Sequence, residues 1–149
     1  MSQREDLAHL YFRMFTEIAI IAQLSGNRLE RVLPEGMSMA QFSVLSHFAR
    51  LGGAWAPSRL AAAFQVTKGA MTNTLQRLEA QGFVRIEDDP KDARGKLVEI
   101  TDAGKRAREQ GVRAVGGIIG PLVGAIPPSE VKVALPFLEN LRKILDERR

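Results

Sequence analysis

The segment KGAMTNTLQRLEAQG, residues 68–82, carries side chains that could read the edges of nucleic-acid bases. Asn73 and Gln76 are amides, and an amide can form two hydrogen bonds with adenine in a major groove. Thr72 has a methyl group and a hydroxyl, which suit a thymine methyl or a phosphate oxygen. Because any surface helix has a polar face of this kind, the elements around the segment must decide its role.

Three further side chains are candidates for contacts with a phosphate backbone. Lys68 lies near the start of the same segment, and Ser58 opens a preceding short helix, where exposed N–H groups favour an anion. Arg77 has two interpretations of nearly equal weight, a contact with DNA or an ion pair with acidic residues that follow it. Together these side chains predict an anion-binding surface.

The charged stretch EDDPKDARGK, residues 87–96, separates two short runs of alternating apolar residues, FVRI at 83–86 and LVEI at 97–100. The runs look like the strands of one hairpin, so the stretch predicts an unusually long connection of about eight residues. Its length would let Arg94 extend past the neighbouring helix into a minor groove, where a narrow A·T-rich groove attracts arginine.

The other charges of this stretch have separate predicted roles. Lys91 and Lys96 are expected on phosphates. Asp92, two residues before Arg94, is expected to brace the Arg94 guanidinium or to hold Arg77. The remaining acids are expected to face away from DNA, and they are Glu87, Asp88 and Asp89.

Helical spacing and capping signals predict the elements in front of this stretch. A long first helix spans 7–33 and ends at Pro34. Ser38 and Gln41 form a capping-box pattern for a second helix, which glycines at 52 and 53 stop. A third, short helix at 58–64 precedes a three-residue connection.

The segment 68–82 then forms a fourth helix, with Thr67 as its N-cap and an apolar face of Ala70, Met71, Leu75 and Leu78. A short helix, a tight turn and a second helix make a helix-turn-helix, and the hairpin behind it makes a wing. The predicted fold class is therefore mainly α with a small β-hairpin wing.

Two more helices complete the chain. Thr101 caps a fifth helix, which is rich in glycine and is expected to kink or break near Pro121. A sixth helix begins after Pro127 and is expected to bend at Pro136. The predicted organisation is a winged helix-turn-helix module at 38–101, embedded in a helical dimerisation region.

That dimerisation region comprises 7–36 and 102–149. Its helices carry apolar faces that the small module cannot fully cover, and spare apolar surface on terminal helices favours a partner subunit. The candidate dimerisation residues are Leu7, Leu10, Met14, Val131, Leu135, Leu138, Leu141 and Leu145.

Composition excludes several classes of function. The chain has no cysteine, which rules out disulfides and thiol chemistry, and neither histidine stands in a metal-binding motif, so no metal and no cofactor is expected. The N-terminus lacks a signal-peptide pattern, and the uncharged stretch 114–129 is too short to span a membrane, which predicts a cytoplasmic protein. The net charge of +4 permits polyanion binding without demonstrating it.

The chain resembles the MarR family of transcriptional regulators over nearly its whole length. The resemblance rests on MAQFSVLSHFARLGG, on SRLAAAFQVTKGAMTNTLQRLEAQGFV, and on Asp92-Ala93-Arg94 followed by LVEITDAG. It implies a homodimeric winged-helix protein that binds an operator in double-stranded DNA. It also implies a small-molecule effector, often aromatic or phenolic, that relieves this binding; which residues would bind the effector is unknown.

Two functional hypotheses follow. The first is a dimeric repressor released from a pseudo-palindromic operator by a small ligand. The second is a winged-helix module that binds protein and has lost specific DNA readout, because residues 54–101 contain seven bases against six acids, a weak charge excess. An enzyme is a distant third, since no acid/base, nucleophile or metal set converges at a known spacing.

Overall fold

A computed structural model describes residues 2–148 and confirms the predicted order of elements. The helices and strands are α1 (Gln3–Val32), α2 (Met39–Leu51), α3 (Pro57–Phe64), α4 (Lys68–Ala80), β1 (Val84–Asp89), β2 (Asp92–Ile100), α5 (Asp102–Ala125) and α6 (Pro128–Glu147). This arrangement is a winged helix-turn-helix with additional helices, as the sequence predicts.

Local capping interactions fix the start of α2 and α1. The Ser38 hydroxyl accepts a hydrogen bond from the Gln41 backbone N–H, and the Gln41 side chain accepts one from the Ser38 N–H, which completes the predicted capping box. Ser2 and Glu5 form a second capping box. For this reason α1 begins at Gln3, four residues before the predicted start at Leu7.

The helix-turn-helix is built as predicted. Gln65 ends α3 in a left-handed conformation, with φ at 52°, which reverses the chain within one residue. The Thr67 hydroxyl then caps α4 by accepting from the Ala70 N–H at 3.1 Å. The second helix of the helix-turn-helix, α4, which is its recognition helix if the module reads DNA, therefore has a fixed start relative to α3.

The hairpin differs from the prediction. The charged stretch is not a loop of about eight residues: β1 continues to Asp89, β2 starts at Asp92, and only two residues lie between the strands. The register changes from the pair Asp88–Lys96 to the pair Asp89–Asp92, so residues 93–95 bulge out of the ladder. Oppositely charged residues face each other along these strands, which a sequence pattern alone presents as a solvated loop.

The hydrophobic core lies under the helix-turn-helix and the hairpin. Its fully buried side chains include Val44, Leu45, Phe48, Leu60, Leu75, Leu78 and Val98. Trp55 is half-buried against this core, and its backbone forms a bridge with Val98 through hydrogen bonds of 3.0 and 2.9 Å. A third chain segment therefore braces β2 of the wing.

The described chain forms two compact units, and the boundary between them falls within α5 between Ala114 and Val115. Helical structure continues through Pro121 and Pro136, so α5 does not break near Pro121. A kink at Pro121, the other predicted outcome, and the bend at Pro136 stay predictions. Within residues 2–148 no single helix is long and apolar enough to cross a membrane, although α5 and α6 together pass that test as a bent pair. The predicted division of the chain into a winged helix-turn-helix module at 38–101 and a helical dimerisation region at 7–36 and 102–149 stays a prediction.

Candidate nucleic-acid interface

The outer face of α4 is polar and solvent-exposed. Buried Met71, Leu75 and Leu78 attach the helix to the core, and the predicted readout residues lie on the opposite side. These exposed side chains are Lys68, Thr72, Asn73, Gln76 and Arg77. The prediction that Ala70 belongs to the apolar face is wrong: Ala70 lies about 100° around the helix from Met71, beyond the edge of the core contact.

An open cleft of about 340 Å³ lies between the start of α3, the start of α4 and the wing. Five predicted DNA-binding residues line it, namely Ser58, Lys68, Thr72, Arg94 and Lys96. Asp89 and Asp92 line the same cleft, so Asp89 lies beside the predicted DNA-binding residues, although it is expected to face away from DNA. The fold thus brings together side chains that are nearly forty residues apart in sequence.

The other predicted contacts, Asn73, Gln76, Arg77 and Lys91, do not line this cleft. Asn73, Gln76 and Arg77 are exposed along α4 beyond the cleft, and Lys91 is exposed in the two-residue turn of the wing. The interface therefore has two parts, a cleft that contains cations and hydroxyls, and an amide-bearing helix face that is open to a groove.

Two aspartates hold the backbone at the tip of the wing. The Asp89 Oδ1 accepts from the Lys91 N–H at 2.9 Å, and the Asp92 Oδ1 accepts from the Arg94 N–H at 3.0 Å. Asp92 therefore braces the backbone of Arg94, whereas its two predicted roles were to brace the Arg94 guanidinium or to hold Arg77. Within residues 2–148 the Arg94 side chain forms no ion pair, which leaves its charge available to a ligand.

Lys96 and Asp88 face each other across the hairpin and form a hydrogen-bonded ion pair. The hydrogen bond and the charge of Lys96 lower the pKa of the Asp88 carboxyl. Since both side chains are exposed, this pair contributes little to stability. The Asp88 carboxylate partly neutralises the charge of Lys96, so Lys96 attracts a phosphate less strongly than Arg94 does.

Arg85, on the same strand as Asp88, is occupied by ion pairs of 3.0 Å with Glu87 and with Glu99. Arg77 forms no ion pair among the described residues, although an ion pair with the wing acids was one of its two predicted roles. Three of the wing acids pair with bases of the wing itself, which leaves Arg77 available to an external partner.

Comparison with known proteins identifies the family to which the chain belongs. A sequence model of the MarR family matches residues 35–95, which include α2 to α4 and most of the wing. The multiple antibiotic resistance protein MarR of Escherichia coli is 36% identical over 117 residues, which cover 78% of this chain and 81% of that protein. The chain belongs to the MarR family. It is a DNA-binding transcriptional regulator, as the sequence predicts, rather than an enzyme.

Solved structures of transcriptional regulators have the same fold. BldR of Sulfolobus solfataricus superposes with a TM-score of 0.77 at 26% identity, over 99% of both chains. A mutant of Escherichia coli MarR, solved in complex with operator DNA, superposes with a TM-score of 0.66 at 27% identity, over 87% of this chain and 96% of that one. The mainly α, winged-helix fold class is thereby confirmed.

An aromatic cluster beneath the wing of this MarR-family chain does not follow from the sequence pattern. The His47 ring lies edge-on to Trp55, with centroids 4.5 Å apart, and 5.3 Å from Phe64. The Arg59 guanidinium stacks 4.4 Å above the Trp55 ring. The four-residue spacing of Trp55 and Arg59 is a local signal that could have indicated this stacking.

The stability of this MarR-family chain is expected to fall as pH decreases through the range below about 6.5. Burial, and to a lesser extent the charge of Arg50, lowers the pKa of His47 from its ordinary value of 6.5. The unfolded chain therefore binds the proton more readily, so the contribution of His47 to stability is complete above pH 6.5 and is lost below it. Urea unfolding midpoints at a pH about one unit above and one unit below that value measure this loss.

The other histidine provides the matched control for this pH dependence. His47→Phe should have a smaller difference between the two midpoints than the wild type, whereas His9→Gln, on the exposed surface of α1, should leave the difference unchanged. Equal differences in the wild type and His47→Phe would contradict the assignment to His47.

Proposed function

We propose that this MarR-family regulator is a homodimeric repressor that binds a pseudo-palindromic operator and is released by a small aromatic or phenolic ligand. The observation that carries the DNA-binding part is the cleft that brings Arg94 and Lys96 of the wing beside Ser58, Lys68 and Thr72. Arg94 of the wing forms no ion pair within residues 2–148 and lies beside α4, whose exposed face carries amide side chains. This arrangement suits contacts in a minor groove and in the adjacent major groove.

In the proposed complex, α4 lies in the major groove. Asn73 and Gln76 would pair with adenine, while Thr72 and Lys68 contact a thymine methyl and a phosphate. The start of α3 would place Ser58 and its neighbouring N–H groups on the backbone. The operator complex of Escherichia coli MarR, whose fold this chain shares, supports such docking.

The wing contributes the second groove contact. Arg94 would enter the minor groove, and Lys91 and Lys96 would lie on flanking phosphates. Asp92 fixes the backbone from which Arg94 projects, which limits the conformational entropy that the wing loses on binding. Asp92 is therefore proposed as a positioning residue.

The homodimer is supported by apolar surface that the single chain leaves exposed. Neither α1 nor α6 contains a buried residue. The candidate dimerisation residues Leu7, Leu10, Val131, Leu135, Leu138 and Leu145 are exposed, and Met14 and Leu141 are half-buried. Exposed apolar surface of this extent favours a partner subunit that covers it.

The proposed repressor role and the ligand come from the family resemblance, and the name of the Escherichia coli relative, a multiple antibiotic resistance protein, is consistent with a response to small molecules.

A gel-shift scan of the DNA that flanks the gene tests the proposal. It should find a site whose half-sites are about 10 bp apart. Binding that is salt-sensitive and independent of sequence would reject the specific-operator part.

Replacement of Arg94 by alanine should weaken operator binding by about 1–3 kcal/mol, or roughly five- to 150-fold. The physical reason is the loss of an unpaired guanidinium from the minor groove. Fluorescence anisotropy with a labelled operator at fixed salt measures the change.

Arg85→Ala is the control for this experiment, because Arg85 is exposed on the same hairpin but occupied by Glu87 and Glu99. It should change operator affinity less than about threefold. If Arg94→Ala also left affinity unchanged, the alternative of a protein-interaction module without specific DNA readout would be favoured.

A further inference from the structure

A second open cavity, of about 580 Å³, lies away from the DNA-contact cleft, between α2, the end of α3 and α5. Its lining residues are Ser43, Ser46, His47, Ala49, Arg50, Phe64 and Arg108. Two guanidinium groups, two hydroxyls and an imidazole contribute to this lining, and no acidic residue among the described ones does. The composition is that of a site for an anion.

Two polar atoms of this lining are buried without a hydrogen-bond partner among the described residues. His47 is only 6% exposed and its Nε2 has no partner, and the Nε of Arg108 is likewise buried and unpaired. Such atoms in a native fold require an explanation, because a buried polar atom without a partner is costly. Both nitrogens belong to residues that line the same cavity. Because protein atoms cover them in this structure, a ligand pairs with them only when the two side chains turn toward it.

Arg108 also lines a neighbouring cavity that contains two acids, Glu99 and Glu109. It forms no ion pair with either of them within residues 2–148. Burial keeps His47 neutral near pH 7 by lowering its pKa, so the ring provides one N–H donor and adds no charge. The positive charge of the cavity is therefore that of Arg50 and Arg108.

We infer that this cavity binds a small organic molecule through a phosphate group. Arginine guanidinium groups and serine hydroxyls are the donors that recognise phosphate oxygens, and the donors of this cavity exceed the roughly four acceptor sites of a carboxylate. Phe64 and Ala49 provide apolar surface for the organic part of the ligand.

Direct contacts connect the cavity to the wing and to the turn before α4, the two elements that are proposed to contact DNA. The His47 ring touches Trp55, whose backbone is hydrogen-bonded to Val98 of the wing. It also touches Phe64, the last residue of α3, three residues before the cap of the recognition helix. A bound phosphate that reorients His47 would therefore act on the wing and on α4 together, and this regulatory step rests on the proposed release from the operator.

Isothermal titration of the full chain in a phosphate-free buffer tests the site with three probes, phenyl phosphate, benzoate and benzyl alcohol. Phenyl phosphate should bind at least about fivefold more tightly than benzoate, and benzyl alcohol should bind more weakly than both. Absence of phenyl phosphate binding, or equal or tighter binding of either other probe, would overturn the inference.

Variants locate the site. Arg108→Gln should weaken phenyl phosphate binding by about tenfold or more, and His47→Phe should also weaken it. Arg50→Gln changes an exposed side chain and so tests the cavity even if Arg108→Gln folds poorly. Arg113→Gln removes the same charge from an exposed position of α5 outside this lining and should change binding less than about twofold. Equal effects of Arg113→Gln and Arg50→Gln would reject a specific site.

A gel shift with operator DNA separates this inference from the proposed function. If phenyl phosphate binds and releases the operator, both stand. If it binds without releasing the operator, the phosphate site stands and release by this ligand fails. If it does not bind while the operator still does, the inference fails and the DNA-binding function stands.

Discussion

A Leu138→Asp variant is expected to be monomeric at micromolar concentration and to bind its operator at least about a hundredfold more weakly than the wild type. Leu138 lies on the exposed leucine stripe of α6, and in a symmetric dimer a carboxylate there would be buried with its symmetry-related copy nearby. A monomer presents one recognition helix, so it loses the gain in affinity that two linked half-sites provide. Analytical ultracentrifugation and anisotropy with a labelled operator measure the two effects.

Asn140→Asp is the matched control for the dimer prediction. It introduces the same carboxylate on α6, but about 200° around the helix from Leu138, on a side that the predicted stripe does not include. The control should remain dimeric and bind the operator normally. A Leu138→Asp chain that still sediments as a dimer would show that the stripe is not the interface.

The parts of the fold that local interactions determine were predictable. Ser38, Thr67 and Thr101 cap helices within a few residues of themselves, so a sequence pattern is sufficient to place the starts of α2, α4 and α5. The same logic applies to the start of α1, where the pair Ser2 and Glu5 forms a capping box that the prediction did not include.

The wing was predicted less well, because its structure depends on contacts between strands. Consecutive charges at 87–96 indicate solvent exposure, and because Asp, Glu and Lys are depleted in strands, the pattern favours a loop. Only the register, in which Arg85 faces Glu99 and Asp88 faces Lys96, distinguishes them. The bridge from Trp55 to Val98 was unpredictable for the same reason, since no local pattern specifies the distant partner.

In the candidate site too, features that depend on local sequence were predictable, and features that depend on contacts between distant segments were not. The exposed face of α4 follows from helical periodicity, which is why the exposure of its polar residues was predicted correctly. The hydrogen bonds of Asp89 and Asp92 to the wing backbone and the lack of an ion pair at Arg94 among the described residues depend on turn geometry. The cavity around His47 was not predicted at all, because its lining comes from three helices whose packing the sequence does not specify.

Gly104→Ala is expected to reduce the free energy of unfolding by about 3 kcal/mol or more. A Cβ at Gly104 would lie 2.1 Å from the Phe83 carbonyl oxygen and 2.8 Å from Ile100 Cγ1. That oxygen cannot move away easily, because it accepts a hydrogen bond from the Thr101 N–H at 3.1 Å. Relief of the clash requires the start of α5 to separate from the hairpin, and urea unfolding measures the cost.

The comparison with Gly69→Ala distinguishes this clash from the general effect of replacing glycine in a helix. Gly69 lies in the first turn of α4 with no atom within 4 Å of an added Cβ, so alanine there should leave stability unchanged or raise it by up to about 1 kcal/mol. Gly104→Ala should also weaken operator binding, because the displaced start of α5 follows directly on β2, which carries Arg94. A Gly104→Ala chain as stable as the wild type would mean that α5 does not hold the wing, and the positioning of Arg94 would then rest on Trp55 and Asp92 alone.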